Sequence, residues 1–212
     1  SQTCPKASRG EAHSHSGSVG NRRFAHAQNA CADGQVRNTT GCSAFPVGGL
    51  AEVATAQGLS IYRVAASPGQ RPGEIFVPMH WTDRLAGEAR VNAIVAASVD
   101  PVSGQPALKQ SRVRLEAFVA SFWAVAVVRR RPHRIESRYW AAAPVAGGWR
   151  LEIADTEPPN DVARLFLTLL GEPTHSNVDI VTYRDAAGAQ MRLAAFAGER
   201  LLGLLYTAAE PV

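Results

Sequence analysis

The sequence predicts a mainly β protein with α+β character: a β-barrel-like first domain followed by a small α+β domain. Three observations carry this. From Leu50 onward, short segments alternate apolar and polar residues at a period of two, the mark of half-buried strands. Clusters of Gly, Pro, Asp and Ser separate these segments and supply the turns between them. Near 117–120 the texture changes, and the one long stretch with apolar residues at helical spacing lies beyond that point.

Taken in order, residues 1–47 are rich in Ser, Gly, Ala, Asn, Arg and His and show neither strand nor helix period, so they are expected to be irregular or disordered. Leu50-Ala-Glu-Val-Ala-Thr and Leu59-Ser-Ile-Tyr-Arg-Val alternate across Ala56-Gln-Gly58, a β-hairpin pattern. Ser67 to Gly73 is a turn cluster before the apolar strand Glu74 to Pro78. Val91 to Ala97 suits one or two helical turns, and Asp100 to Pro106 is a long turn by its Pro, Gly, Ser and Asp content. Ser111 to Phe118 alternates again and is expected to close the sheet, completing a barrel domain over 48–118.

The α+β domain over 119–212 opens with a buried strand, Ser121 to Val128, ended by the basic run Arg129-Arg-Arg-Pro-His-Arg134. Arg138 to Ala141 and Trp149 to Ala154 read as strands about Gly147-Gly148. Asn160 suits the N-cap of a helix from Asp161 to Leu170, with Val162, Leu165, Phe166 and Leu169 on one face and Gly171 just past its end. Asp179 to Tyr183, Gln190 to Phe196 and Arg200 to Tyr206 then form a three-strand meander.

Composition narrows the function classes. Hydrophobic content of 46% against 19% charge is enough for a packed core. The net charge of +4 is uneven: Lys6, Arg9, Arg22, Arg23 and Arg37 against Glu11 and Asp33 put +3 of it in the first 45 residues. A basic balance confined there argues against a nucleic-acid partner, and the run at 129–134 is short and lacks interleaved aromatics. Cys4, Cys31 and Cys42 are odd in number and have no paired spacing, so with His13, His15 and His26 they make neither a zinc motif nor a disulfide framework. No window is long and apolar enough to span a membrane as a helix, and the start lacks the apolar core of a signal peptide; the expected compartment is the cytoplasm.

The informative run is Pro72-Gly-Glu-Ile-Phe-Val-Pro-Met-His-Trp81, then Arg90-Val-Asn-Ala-Ile94, then Asp100-Pro-Val-Ser-Gly-Gln-Pro-Ala-Leu-Lys109. In this order and spacing it resembles the C-terminal dinucleotide-binding domain of the molybdopterin oxidoreductases, with the assimilatory nitrate reductase catalytic subunit nearest in pattern. The resemblance covers roughly Leu50 to Ala117. It continues at lower resolution through Phe122-Trp123, Tyr139-Trp140, Gly147 to Glu152 and the ending Arg192 to Tyr206. It implies a double-psi β-barrel-like fold, present here in part, and molybdopterin guanine dinucleotide as the cofactor.

Such a cofactor needs amides matched to ring edges, donors for phosphate and apolar walls. Asn92 offers two donors and an acceptor oxygen suited to a guanine or pterin edge. Lys109 supplies a point charge for phosphate or a pterin carbonyl. His80 and Trp81, directly after an apolar strand, are placed to pack against a ring and donate to it, or else to fill the barrel end. These four are the candidate cofactor-binding residues. Against them stand plainer roles, turn former for Asn92 and solvated charge for Lys109. Asp100 and Ser103 are read as turn formers, and the loop they build is expected to aim backbone N–H groups at a ligand. No catalytic residue and no metal ligand is assigned.

The resemblance also implies what this chain lacks. The family's iron–sulfur cysteines, molybdenum ligand and nitrate pocket have no counterpart in it, so the chain reads as a fragment, not catalytically complete alone. The composition of 1–47 is what a high-GC gene read in a shifted frame gives. The competing readings are therefore a non-functional or frameshifted remnant and a basic nucleic-acid-binding β module. The oligomeric state is open.

Overall fold

The structure, a computed structural model, describes residues 24–27, 35–38, 45–67, 69–71, 73–79, 81–106, 108, 111–171, 178–185 and 190–211. Two four-residue strands, β1 (Phe24–Ala27) and β2 (Gln35–Asn38), come first, within the stretch expected to be irregular. The hairpin follows as β3 (Leu50–Ala54) and β4 (Leu59–Ala66), then β5 (Glu74–Phe76) and β6 (Arg112–Phe118). These six close into a barrel in the order β1-β5-β2-β4-β3-β6. β1 runs parallel to β5 and β2 parallel to β4; the other four pairings are antiparallel. The barrel thus begins before residue 48, because β1 fills the gap between β5 and β6 and β2 the gap between β5 and β4.

Alternation along β4 decides what faces what. Tyr62 points into the barrel with Val53, Ile75, Ile94 and Val113, while Ile61 points out and packs with Leu50, Phe118, Trp123 and Tyr139. Each such large apolar side chain, fully buried, contributes roughly 1.5–3 kcal/mol.

The second sheet is built from β7 (Phe122–Val128), β8 (Tyr139–Val145), β9 (Gly148–Asp155), β10 (Asp179–Arg184), β11 (Met191–Ala197) and β12 (Arg200–Ala208), in the order β10-β11-β12-β7-β9-β8. The helix α1 (Val162–Leu170) covers one face, where Phe166, Leu169 and Leu170 pack against Leu151, Ile153, Leu193 and Leu205. Its N-cap is Asp161, whose carboxylate accepts the Arg164 N–H at 3.0 Å, and not Asn160 as the sequence suggested. Both residue types cap well, and the position of the Arg164 N–H, three residues after Asp161, decides between them. Gly171 ends the helix in the left-handed conformation, φ 68°, as expected.

Barrel and sheet share a core. Trp123 and Tyr139 of the sheet meet Ile61 and Phe118 of the barrel. The Arg63 guanidinium bonds Glu152 at 2.6 Å and lies 5.6 Å from the Trp123 ring centre, and Arg138 bonds Glu52 at 2.8 Å. The barrel segment 85–87 also lies along the edge of β8: the Gly87 N–H donates to the Trp140 carbonyl at 2.9 Å and the Ala142 N–H to that of Leu85 at 2.7 Å.

Candidate functional site

The long excursion between β5 and β6 carries the motif residues, and its middle is tied to the barrel wall. The Ser60 hydroxyl donates to the Arg90 carbonyl at 3.0 Å, and the Ile61 N–H to the Glu88 carbonyl at 2.6 Å. Ala89, between these ties, and Ala86, just before them, are buried, and Ile94 plugs the core. Gly58 lets the excursion come close: a Cβ there would stand 2.6 Å from the Ala93 carbonyl oxygen.

Among its described residues, helical structure in this excursion is one 3₁₀ turn, Val91–Ala93, shorter than the sequence suggested. It ends at Ile94, which is buried in the same cluster that Val91 packs against. Within it Val91 packs on the barrel cluster while Asn92 is exposed at the crest. The Asn92 amide makes no hydrogen bond among the described residues, so both donors and its acceptor oxygen are available to an outside group on a backbone held from below.

Trp81 is half-buried against the cluster of Val53, Tyr62, Ile75 and Val77, so it forms part of the barrel wall. His80 and Lys109 lie outside the described residues. The structure therefore ties Trp81 and the Asn92 turn to one cluster, through Trp81 itself and through Val91.

Asp100 and Ser103 are turn formers, as read. The Asp100 carboxylate accepts the N–H groups of Val102 at 3.0 Å and Ser103 at 2.7 Å and the Ser103 hydroxyl at 2.9 Å. The Ser103 N–H, the Ser103 hydroxyl and the Val102 N–H, in that order, hold the carboxyl below its usual range. The Gly104 N–H is taken by the Asp100 carbonyl at 2.9 Å and the Gln105 N–H by the Ser103 hydroxyl at 3.3 Å. The expectation that this loop aims N–H groups at a ligand is thus corrected, because the loop uses them to close itself. It presents apolar surface instead: Val102 is 94% exposed and Val99 60%.

Beneath the site, Tyr62 is fully buried, and burial pushes its hydroxyl up to about 12. The Ser60 hydroxyl donates to Arg90, and the Tyr62 oxygen has no hydrogen-bond partner among the described residues.

Two of the residues that build this site, Gly58 and Ser60, carried no signal in the sequence beyond a hairpin turn and a strand position. Their roles arise from a tertiary contact to residues about thirty positions on. The basic run at 129–134 is dispersed: Arg129 donates to the Leu201 carbonyl at 2.6 Å, Arg131 to that of Arg84, and Arg134 pairs with Glu136 at 3.1 Å. Among the described residues no cluster of three or more His, Cys, Asp or Glu could hold a metal ion.

Comparison with known proteins bears on the same segment. The family model described as "Molydopterin dinucleotide binding domain" matches residues 47–112. A curated protein, "Nitrate reductase" of Klebsiella oxytoca, is 33% identical over 174 residues, which cover 77% of this chain and 18% of that protein. The chain spans under a fifth of that relative's length.

Proposed function

We infer that this chain, whose residues 47–112 belong to the molybdopterin dinucleotide-binding family and which represents the C-terminal region of a molybdopterin oxidoreductase, is the cofactor-holding portion of a nitrate reductase of the assimilatory type. The cofactor in this reading is molybdopterin guanine dinucleotide, one of the pair that a bis-dinucleotide enzyme carries, and the compartment is the cytoplasm. The closed six-stranded barrel with two parallel and four antiparallel pairings supports a double-psi barrel reading of the fold.

The observation that carries the proposal is Asn92. An amide without an internal partner, raised on a turn whose backbone is anchored through Ser60 and Gly58, fits the edge of a guanine or pterin. Pre-fixing the turn lowers the ordering cost of binding. Trp81 stiffens the wall from which that turn rises. In the sequence His80 and Lys109 flank the same excursion, and the reading assigns Lys109 to a phosphate or ring carbonyl and His80 to a ring edge. When bound, the group supplies the redox chemistry; this chain's residues bind and orient it. Reduction itself is assigned to parts of a longer polypeptide.

The test uses isotopically labelled chain titrated with GMP and, separately, AMP, followed by NMR. The reading predicts a saturable shift of the Asn92 side-chain amide and the Trp81 indole N–H with GMP and a weaker one with AMP. Shifts centred elsewhere, or none at millimolar GMP, would remove its support.

A further inference from the structure

The second sheet has two edges, and they are treated differently. The edge at β8 is lined by the barrel segment 85–87. The edge at β10 has no strand beside it among the described residues. Proteins usually blunt such edges with lysine, proline or a bulge. β10 reads Asp-Ile-Val-Thr-Tyr-Arg, with no lysine, proline or bulge, a β-branched centre, and its two charges, Asp179 and Arg184, at the ends. Its Val181 and Tyr183 are 62% and 59% exposed on the face away from α1, whereas Ile180 packs toward the helix.

That exposed face is ordered in rows. Val181 stands opposite Ala194, Ala194 opposite Leu204, and Leu204 opposite Val127, giving an apolar row across four strands. The neighbouring row is Tyr183, Arg192 and Tyr206, with the Arg192 guanidinium over both rings at 5.8 and 5.5 Å. Asp179, at the start of β10, has no ion-pair partner among the described residues.

We propose that β10 is the pairing edge for a second copy of this chain, which adds its own β10 antiparallel to form one sheet continuous through both copies. A two-fold axis normal to the sheet keeps each residue on its own face, so odd positions must meet odd and even meet even. Two registers then keep most of the strand paired. With Thr182 on the axis, Asp179 faces the partner's Asp185, like charges directly opposed. With Val181 on the axis, Asp179 faces the partner's Tyr183 and lies two strand spacings, about 10 Å between backbones, from the partner's Arg192. Both side chains together reach across that gap, so each copy's unpaired carboxylate meets the guanidinium stacked on the other's tyrosine. The same register runs the apolar row unbroken from Val127 to the partner's Val127. Charge and apolar pattern select one arrangement.

The test combines light scattering of the full chain with site-directed cross-linking. In a background with Cys4, Cys31 and Cys42 replaced by Ser, Val181→Cys should oxidise to a disulfide-linked species of twice 22.6 kDa. Tyr183→Cys should not, because its counterpart lies about 13 Å away along the strand, beyond disulfide reach. Val181→Lys should halve the measured mass with an unchanged circular dichroism spectrum. Asp179→Arg and Arg192→Asp should each favour the monomer, and together restore the dimer. A monomer at all concentrations with no Val181→Cys cross-link, or equal cross-linking at both positions, overturns the proposal.

Discussion

Gly58→Ala tests how the site is held. Gly58 lies outside the left-handed region, so alanine meets no backbone strain there. The obstacle is steric: its Cβ would stand 2.6 Å from the Ala93 carbonyl oxygen, about 0.8 Å inside ordinary contact. The atom in the way is backbone, and the turn behind it is anchored by Ser60 and by buried Ile94, so it cannot swing clear as a side-chain tip would. Overpacking of this kind costs roughly 1–3 kcal/mol. The lost flexibility of the unfolded chain returns roughly 0.4–1 kcal/mol. A net loss of about 1–2 kcal/mol lowers Tm by about 2–8 °C at roughly 2–4 °C per kcal/mol for a domain of this size. Gly69→Ala is the control, since a Cβ there meets nothing within 4 Å and the backbone is not left-handed; it should leave Tm unchanged or slightly raised. Thermal unfolding by circular dichroism measures both, and the Asn92 side-chain amide resonance reports whether the turn has moved. Equal Tm for Gly58→Ala and wild type, with Asn92 unmoved, would refute the close approach and with it the anchored turn.

Two further predictions concern the scaffold. An unfolded tyrosine releases its proton near pH 10, whereas burial holds Tyr62 to about 12. Its contribution is therefore complete below about pH 10 and is lost as pH rises through 12, about 2–3 kcal/mol in all; burial also raises Tyr139. Tyr62→Phe, which removes no hydrogen bond, should keep stability at pH 7 and shift base unfolding to higher pH; an unshifted alkaline transition would contradict this. Arg63 and Glu152 are 17% and 18% exposed and 2.6 Å apart. A double-mutant cycle with Arg63→Met and Glu152→Gln in urea should give a coupling of roughly 1–2 kcal/mol, and additive effects would show that the pair does not couple barrel to sheet.

The strands of the hairpin and of β6 were legible because each has one face on a core and one toward a different environment, which imprints a period of two. By contrast, β7 was legible as a short, continuous apolar run and the later strands by the glycine turns between them. The helix was legible from Phe166 and Leu169 at helical spacing with Gly171 behind them. Its cap was misplaced by one residue because Asn160 and Asp161 are both capping types, and only the position of the Arg164 N–H separates them. The strands at 24–27 and 35–38 were not legible: four residues are too few to show a period, and their pairing is with distant β4, β5 and β6. For the site, the residue types at Trp81 and Asn92 were visible in the motif. The turn chemistry of Asp100 and Ser103 was visible too, but not that their bonds would use up the loop's own N–H groups. What no pattern carried was the anchoring by Gly58 and Ser60, which depends on the excursion folding back onto β4.

The central claim, that the Asn92 turn holds the dinucleotide cofactor, is tested most directly by cofactor content in a full-length nitrate reductase relative. Alanine at the position aligned with Asn92 leaves cofactor groups without partners, roughly 1–3 kcal/mol, or about 5- to 150-fold in affinity. Methionine at the position aligned with Lys109 removes a contact that salt screens, so its effect should be larger at low ionic strength. Molybdenum and guanine nucleotide per polypeptide, measured at two salt concentrations, should fall together for the first variant and fall mainly at low salt for the second. Full occupancy in both variants, with folding intact, would contradict the account.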